Sequence, residues 1–505
     1  MRLWSFHGGI EVPGHKEIST TRPVEPAPLP KRLILPLSQH LGAPAEPLVA
    51  EGEEVLKGQM IASPAGFVSA PLHASSSGKV VAIGEHPVPH PSGLSAPCIT
   101  IETDGEERWV EREQRDFRQL EPAEIRETVR QAGIVGLGGA GFPAFIKLNP
   151  GRTIKTLILN GAECEPYITS DDMLMRERPE QILRGLLIIR RAVQARRCII
   201  AVEDNKPEAE RSLRQALGSM KEDADDIEIV TIPARYPAGG EKQLIRVVTG
   251  QEVPSGGLPV QVGVVCHNVS TAVAVYRAVE LGEPLISRYV TITGGAVAEP
   301  RNLEVLIGTP VEELLQLCGT DPGAVQEVIM GGPMMGISLA SLGVPLVKTG
   351  NCLLAVGRGE IEHPEVMPCI RCGNCAEACP MSLLPQQMYW HARAKDFDRL
   401  REYDLFDCIE CGCCAYVCPS NIPLVHYYRF AKSEIRARQE QKRKADIARE
   451  RHELREQRLA REKAERAARH ARKRPGPSDE SKKAAIQAAL ERARAGKQGA
   501  AQDDV

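Results

Sequence analysis

No stretch of this chain comes near the ~18 consecutive apolar residues that a membrane-crossing helix needs. The most apolar run, Leu186 to Ile189 and its neighbours, is broken by arginines. The first residues, MRLWSFHGGI, lack the apolar core of a secretory signal, so the expectation is a soluble, cytoplasmic chain. A net charge of one sign is missing too: 63 Lys/Arg stand against 66 Asp/Glu. That balance hides an asymmetry, because residues 432–505 carry 22 Lys/Arg and only 13 Asp/Glu. An acidic body thus bears a basic tail. The tail has almost no aromatics to stack on bases and is itself rich in Glu, which argues against nucleic acid as a partner. Docking onto anionic lipid or partner subunits remains open to it.

What the chain does have is cysteine, 15 in all, nine of them between 369 and 418. In a reducing compartment such crowding reads as metal ligation rather than disulfides. CIRCGNCAEACP (369–380) returns as CIECGCCAYVCP (408–419), and each copy reads C-x2-C-x2-C-x3-C-P. Thiolates ligate iron–sulfur clusters, and in two-cluster proteins the fourth cysteine of such a run serves the other cluster. One 4Fe-4S cluster is therefore assigned Cys369, Cys372, Cys375 and Cys418, and the second Cys408, Cys411, Cys414 and Cys379. The spacing leaves Cys413 without a role. Zinc is the competing reading, but zinc knuckles hold paired CxxC units further apart, often with histidine. The connector between the copies includes QQMYWHARAKDFDRLREYD and reads as helix, so the module resembles the α-helical ferredoxin type.

At 505 residues the chain is too long for one core. Residues 1–30 read as an irregular, Pro-rich arm. Short apolar runs punctuated by Gly, Pro and Ser over 31–115 suggest a small β-domain. Its shape resembles the barrel-sandwich of biotinyl and lipoyl domains, with the modified hairpin near His73–Ser77. Lys79 follows Gly78 without flanking Met or Ala, so the shape is expected without the modification. Over 116–285 strands at 156–160, 197–204 and 227–232 alternate with helices at 180–195, 207–217, 241–249 and 270–281, the signature of an α/β layer with a mainly parallel sheet. Residues 286–355 form a small α+β module, 356–431 the cysteine module. Residues 432–505 form a charged helix to about Arg472, broken by RPGPSDE, with a disordered end.

GLGGAGFPAFIKL (136–148) contains G-x-G-x-x-G, a weak signal alone, but a backbone free of Cβ atoms lets peptide N–H groups approach a flat ring or a phosphate. NGAECEPYIT (160–169) follows a strand end, YPAGGEKQLI (236–245) is a second glycine turn entering a helix, and VCHNVSTA (265–272) supplies a third loop. Together, in this order, they resemble the FMN- and NADH-binding subunit of respiratory complex I. That resemblance implies a flavin lined by Gly136, Gly138, Lys147, Asn160, Glu163, Gly239, Glu241, Asn268 and Thr271, with Phe142 and Glu165 on the nicotinamide side. Leu137, Ala144, Ala162 and Gly240 depart from the pattern. ITGGAVAEPRNLEVLIGTPVEELL (292–315) is similar to the β-grasp of the same respiratory complex. The order of parts resembles the C subunit of the Rnf (Rsx) electron-transport complex. It implies a peripheral subunit on the cytoplasmic face of the bacterial inner membrane, with FMN, two 4Fe-4S clusters and NAD(H). It also implies other Rnf subunits as partners and an activity that couples electron transfer between NADH and ferredoxin to ion transport. The alternatives are a pure iron–sulfur relay without flavin or NAD sites, a scaffold docked by its basic tail, and the A subunit of the Na+-pumping NADH:quinone reductase. The eight ligand cysteines argue against the last.

Overall fold

The structure is a computed structural model that describes residues 2–220, 226–360, 364–472, 476 and 478–499. It divides into two compact units, Met1–Lys432 and Ser433–Val505.

Within the first unit, two small sheets face each other near the N-terminus. One runs in the order Arg32–Pro36, Ser95–Thr103, Gly78–Pro87, Glu54–Val55; the other Glu46–Pro47, Met60–Ser63, Leu72–His73. Leu33, Leu35, Ile61, Leu72, Ile99 and Ile101 fill the space between them and are fully buried. The segment that corresponds to the modified hairpin lies inside, with His73, Ser75, Ser76 and Ser77 buried. Lys348 fixes it there: its buried ammonium donates to the carbonyls of Pro71 (2.9 Å) and Gly133 (2.7 Å).

Burial pulls the Lys348 amine down from 10.5 to about 7. Between those values the unfolded chain binds a proton that the folded chain does not, so stability rises with pH across this window, falls as pH drops from 10.5 toward 7, and levels off below 7, where both states carry the proton. Against Lys348→Met, the wild type should gain up to about 1.4 kcal/mol per pH unit between pH 7 and 10. Denaturation midpoints measured across that range check it; a constant difference would refute it.

The central layer is a parallel sheet in the order Ile227–Ile232, Arg197–Glu203, Thr156–Gly161, Val264–Asn268. Its strands are nearly continuous apolar runs because helices cover both faces. On one face the Pro179–Val193 helix, opened by Pro179 and closed by left-handed Gln194, packs on Val269–Leu281. Gly185 permits that approach: a Cβ there would stand 2.0 Å from the Ala272 carbonyl oxygen. Gly185→Ala should cost about 3 kcal/mol by overpacking, read as a lowered Tm. The chain lays down Thr156–Gly161 first, adds two strands on one side, then returns to the other side with Val264–Asn268. The order reverses between those two strands, and open α/β sheets bind ligands at the carboxyl ends beside such a reversal.

A six-stranded mixed sheet follows, Glu25–Pro26, Arg301–Leu306, Ser287–Thr293, Cys352–Gly357, Val325–Met330, Ile337–Ser338. The first of these belongs to the arm expected to be irregular. It pairs in parallel with Leu303 and Glu304, because an unpaired edge offers backbone groups to any extended segment. In the cysteine module the connector forms two helices rather than one, Pro385–Ala394 and Phe397–Glu402. Lys395 turns left-handed between them and Asp396 caps the second.

The Leu424–Arg472 helix buries Leu424, Val425, Tyr428 and Ile435 in its first turns and is charged beyond them. Glu440 pairs with Arg443 at 2.8 Å, while Glu462 and Glu465 reach back to Arg458 and Arg461. The end expected to be disordered instead holds a helix, Asp479–Gly499, since AAIQAALERARA is rich in strong helix formers. Residue 473, residues 474, 475 and 477 of the expected break, and the last residues 500–505 lie outside the described residues.

Candidate functional site

Asn160 and Asn268 end the two strands that flank the reversal, side by side in register. The glycine loop lies over them. It closes on itself through Gly136 N to Phe142 O (2.8 Å) and Gly141 N to Gly136 O (3.1 Å), which leaves Gly138, Gly139 and Ala140 exposed. A Cβ on Gly138 would come within 3.2 Å of the Asn268 side chain. Thr271 is buried below the loop and accepts from Leu137 N (3.0 Å), while Arg288 donates to the Leu137 carbonyl (3.0 Å). Leu137 itself is a core side chain, which is why a leucine can stand at this departure from the complex I pattern.

The Tyr236–Glu241 turn forms the opposite wall. The Asn160 amide donates to the Gly239 carbonyl (2.8 Å) and its oxygen accepts from Ala162 N (3.1 Å). A Cβ on Gly239 would stand 3.0 Å from the Cys164 sulfur. Lys147 closes the end, bonded to Glu241 (2.5 Å) and to the Cys266 carbonyl (3.1 Å). Gly138 and Gly239, where a Cβ would crowd Asn268 and Cys164, thus meet at the strand ends with two asparagines and a half-exposed lysine that Glu241 holds, polar groups of the kind that a planar ring and a phosphate would use.

Glu163 and Glu165 have firm protein partners. Glu163 accepts from the amides of Asp171 (2.7 Å) and Asp172 (3.0 Å), capping the Ser170–Glu177 helix. Burial, then the Asp171 charge, push its carboxyl up to about 7. Glu165 accepts from Met334 N (2.8 Å) and Met335 N (2.9 Å). Burial raises its carboxyl and those amides oppose the rise. Asn268 caps its own helix through Ser270 N (2.9 Å) and donates to Asp171 (2.6 Å). Phe142 is half-buried at the loop's end.

The two cysteine runs adopt the same backbone. Arg371 and Glu410 both have φ of 59°, and Gly373 and Gly412 have 88° and 83°. Each turn leads into a four-residue helix, Asn374–Glu377 or Cys413–Tyr416. One cavity is lined by Cys369, Cys372, Cys375 and Cys418, the other by Cys379, Cys408, Cys411 and Cys414. Cys413 lines neither and is buried against Tyr236, Ala378 and Cys411. Among the described residues no three Cys, His, Asp or Glu side chains converge as on a single ion. Two sets of four sulfurs around a volume fit a cubane, whose irons lie away from the centre. Burial pushes the thiols of Cys375 and Cys379 up, and that of Cys408 to about 11; bound iron would reverse this.

One turn touches both sites. The Tyr236 hydroxyl donates to the Cys411 carbonyl (2.6 Å) and Gln243 donates to the Pro380 carbonyl (3.2 Å). The cysteine set of Cys408, Cys411, Cys414 and Cys379 is therefore the inner one. Around the other set Cys372 and Ile370 are exposed. Tyr236 carried no role in the sequence reading, although it opens the quoted YPAGGEKQLI; nothing in the sequence places it against a cysteine turn. Asp171 and Arg288 were missed because they act from beneath the loops.

The barrel-sandwich hybrid domain of RnfC matches residues 4–106, the Nuo51 FMN-binding domain 129–277, the SLBB domain 289–338 and the 4Fe-4S dicluster domain 368–422. The C subunit of the ion-translocating oxidoreductase complex of Pseudomonas aeruginosa is 54% identical over 470 residues, 92% of this chain and 60% of that protein. The protein of the same name from Pectobacterium atrosepticum is 49% identical over 496 residues, 98% and 71%. This chain thus spans less than two thirds of the first relative's length. A solved NAD+-reducing NiFe hydrogenase in the H2-reduced state aligns with a TM-score of 0.46 at 20% identity, covering 61% of each chain. Long identity to relatives of one name, with the barrel-sandwich, FMN-binding, SLBB and dicluster domains in one chain, places this protein in the RnfC family, the C subunits of ion-translocating oxidoreductase complexes.

Proposed function

We propose that this chain is the peripheral electron-transfer subunit of an Rnf-type complex, exchanging electrons between NAD(H) and an iron–sulfur relay and so serving ion-coupled transfer between NADH and ferredoxin. Flavin supplies the conversion between a two-electron hydride and single electrons when bound. The chain's own residues do the rest. Gly136, Gly138 and Gly239 leave room for a ring at the strand ends, with Asn160 and Asn268 beside it and Lys147 toward a phosphate. Phe142 and Glu165 border the side open to nicotinamide. The eight cysteines hold two 4Fe-4S clusters in the crossed sets.

The observation that carries this reading is the Tyr236–Glu241 turn, which walls the flavin crevice at Gly239 and bonds to the inner cysteine turn at Cys411. Among the described residues no helix is long and apolar enough to cross a membrane. We place the chain peripherally on the cytoplasmic face because NAD(H) is its proposed substrate. Membrane-embedded subunits of the complex are its partners, and the basic helix faces them or anionic lipid. Anaerobic purification followed by flavin and iron analysis tests the proposal. One FMN and about eight irons per chain are expected. About eight irons without any flavin uptake would leave only a relay.

A further inference from the structure

Lys16 belongs to the arm, and no motif marks it. In the structure its ammonium is buried and donates to three carbonyls, Glu163 (2.8 Å), Glu165 (2.9 Å) and Ile168 (2.6 Å). All three lie in the loop that leaves the Thr156–Gly161 strand and carries both acidic site residues. An ammonium has three N–H groups, and every one is used.

Its neighbours in the arm grip the same loop. Gly14 O accepts from Tyr167 N (2.7 Å), His15 stacks on the Tyr167 ring (4.6 Å), and the Ser19 hydroxyl bonds that of Thr169 (2.8 Å). The loop needs such restraint, since Glu163 and Tyr167 have φ of 52° and 66°, a region that costs non-glycine residues energy. Burial and the nearby Lys206 lower the Lys16 amine, Glu163 and Glu203 oppose that, and Lys206 itself binds Glu203 (2.9 Å) and the Ala162 carbonyl (2.6 Å) at the loop's start.

We propose that Lys16 is a positioning residue that holds the Glu163–Ile168 loop in its cofactor-facing shape, which makes the N-terminal arm a strap across the nucleotide side of the flavin crevice. The functional consequence rests on the FMN/NAD(H) reading above; the structural part does not.

The test uses the whole chain with its clusters and two variants, Lys16→Met and the milder Lys16→Gln, with Lys16→Ala as a third for chemical rescue. Hydrogen exchange at the amides of Tyr167, Asp171 and Asp172 should quicken at least tenfold in Lys16→Met and less in Lys16→Gln. Iron content and protection of the Arg197–Glu203 strand should stay as in the wild type. The KM for NADH should rise at least fivefold with a smaller change in kcat, because the loop is misplaced while the cluster ligands are intact. Ethylammonium added to Lys16→Ala should recover part of the loss. Wild-type exchange and KM in both variants would overturn the proposal, and so would loss of iron in both, which would make Lys16 a general stabiliser. A wild-type protein that takes up no flavin would sink the functional reading, while the exchange data would still decide the role of Lys16.

Discussion

A Cys379→Ser chain should lose the same cluster EPR signal as a Cys411→Ser chain and keep the one that Cys372→Ser removes. The sequence reading already assigns Cys379 to Cys408, Cys411 and Cys414 rather than to its own run. The structure likewise puts it in the cavity of Cys408, Cys411 and Cys414. The cause is local. After the left-handed Gly373 the chain makes one helical turn, Asn374–Glu377, which carries Cys379 away from the three sulfurs behind it. Cys418 is carried the opposite way by Cys413–Tyr416. Iron should fall from about eight to about four per chain in each single variant, since a cubane with three thiolates is readily lost. If Cys379→Ser instead shared its lost signal with Cys372→Ser, the crossed ligation would be wrong.

Gly138→Val should abolish flavin binding and leave the iron untouched. Gly138 is exposed over the strand ends, and a Cβ there already meets Asn268 Cβ at 3.2 Å and its amide nitrogen at 3.4 Å. Two further methyl groups would fill the space in which the loop's N–H groups meet a ligand. The Asn268 side chain cannot step aside freely, because it caps its helix through Ser270 N and is bonded to Asp171. An apparent Kd for FMN raised at least ~100-fold corresponds to about 2.7 kcal/mol. Fluorescence titration of apoprotein reads it. The clusters sit in another module, so their content and EPR spectra should match wild type. Retention of FMN within a few-fold would place the flavin elsewhere.

The parts of the fold carried by period and punctuation were legible in the sequence. TLILN, RCIIAVED and IEIVTI form the strands their β-branched runs suggest, and EQILRGLLIIRRAVQA forms the helix its spacing asks for. The cysteine spacing led to two sets of four, which the structure brings to two cavities, since ligand geometry is a local matter. What could not be read depends on groups far apart along the chain. The arm's Glu25–Pro26 strand has its partner at Leu303–Glu304. Lys16 bonds a loop about 150 residues on, and its surroundings in sequence are polar and unpatterned. The burial of the His73–Ser77 segment could not be read because Lys348, which bonds Pro71 just before it, comes from another module. The site followed the same division. Glycines and asparagines were visible as motifs, whereas the work of Glu163 and Glu165 as anchors of amides appears only once Asp171, Asp172, Met334 and Met335 are in place.

The inner position of the Cys408, Cys411, Cys414 and Cys379 set ties these parts into one path. The most direct measurement is anaerobic, rapid-freeze EPR of the full chain mixed with NADH, with flavin absorbance followed in parallel. The account predicts that reducing equivalents reach the inner set first and the outer set after it, and that Gly138→Val, depleted of flavin, shows neither signal with NADH yet both with dithionite. Reduction of the outer set first, or cluster reduction by NADH without any flavin bound, would contradict it.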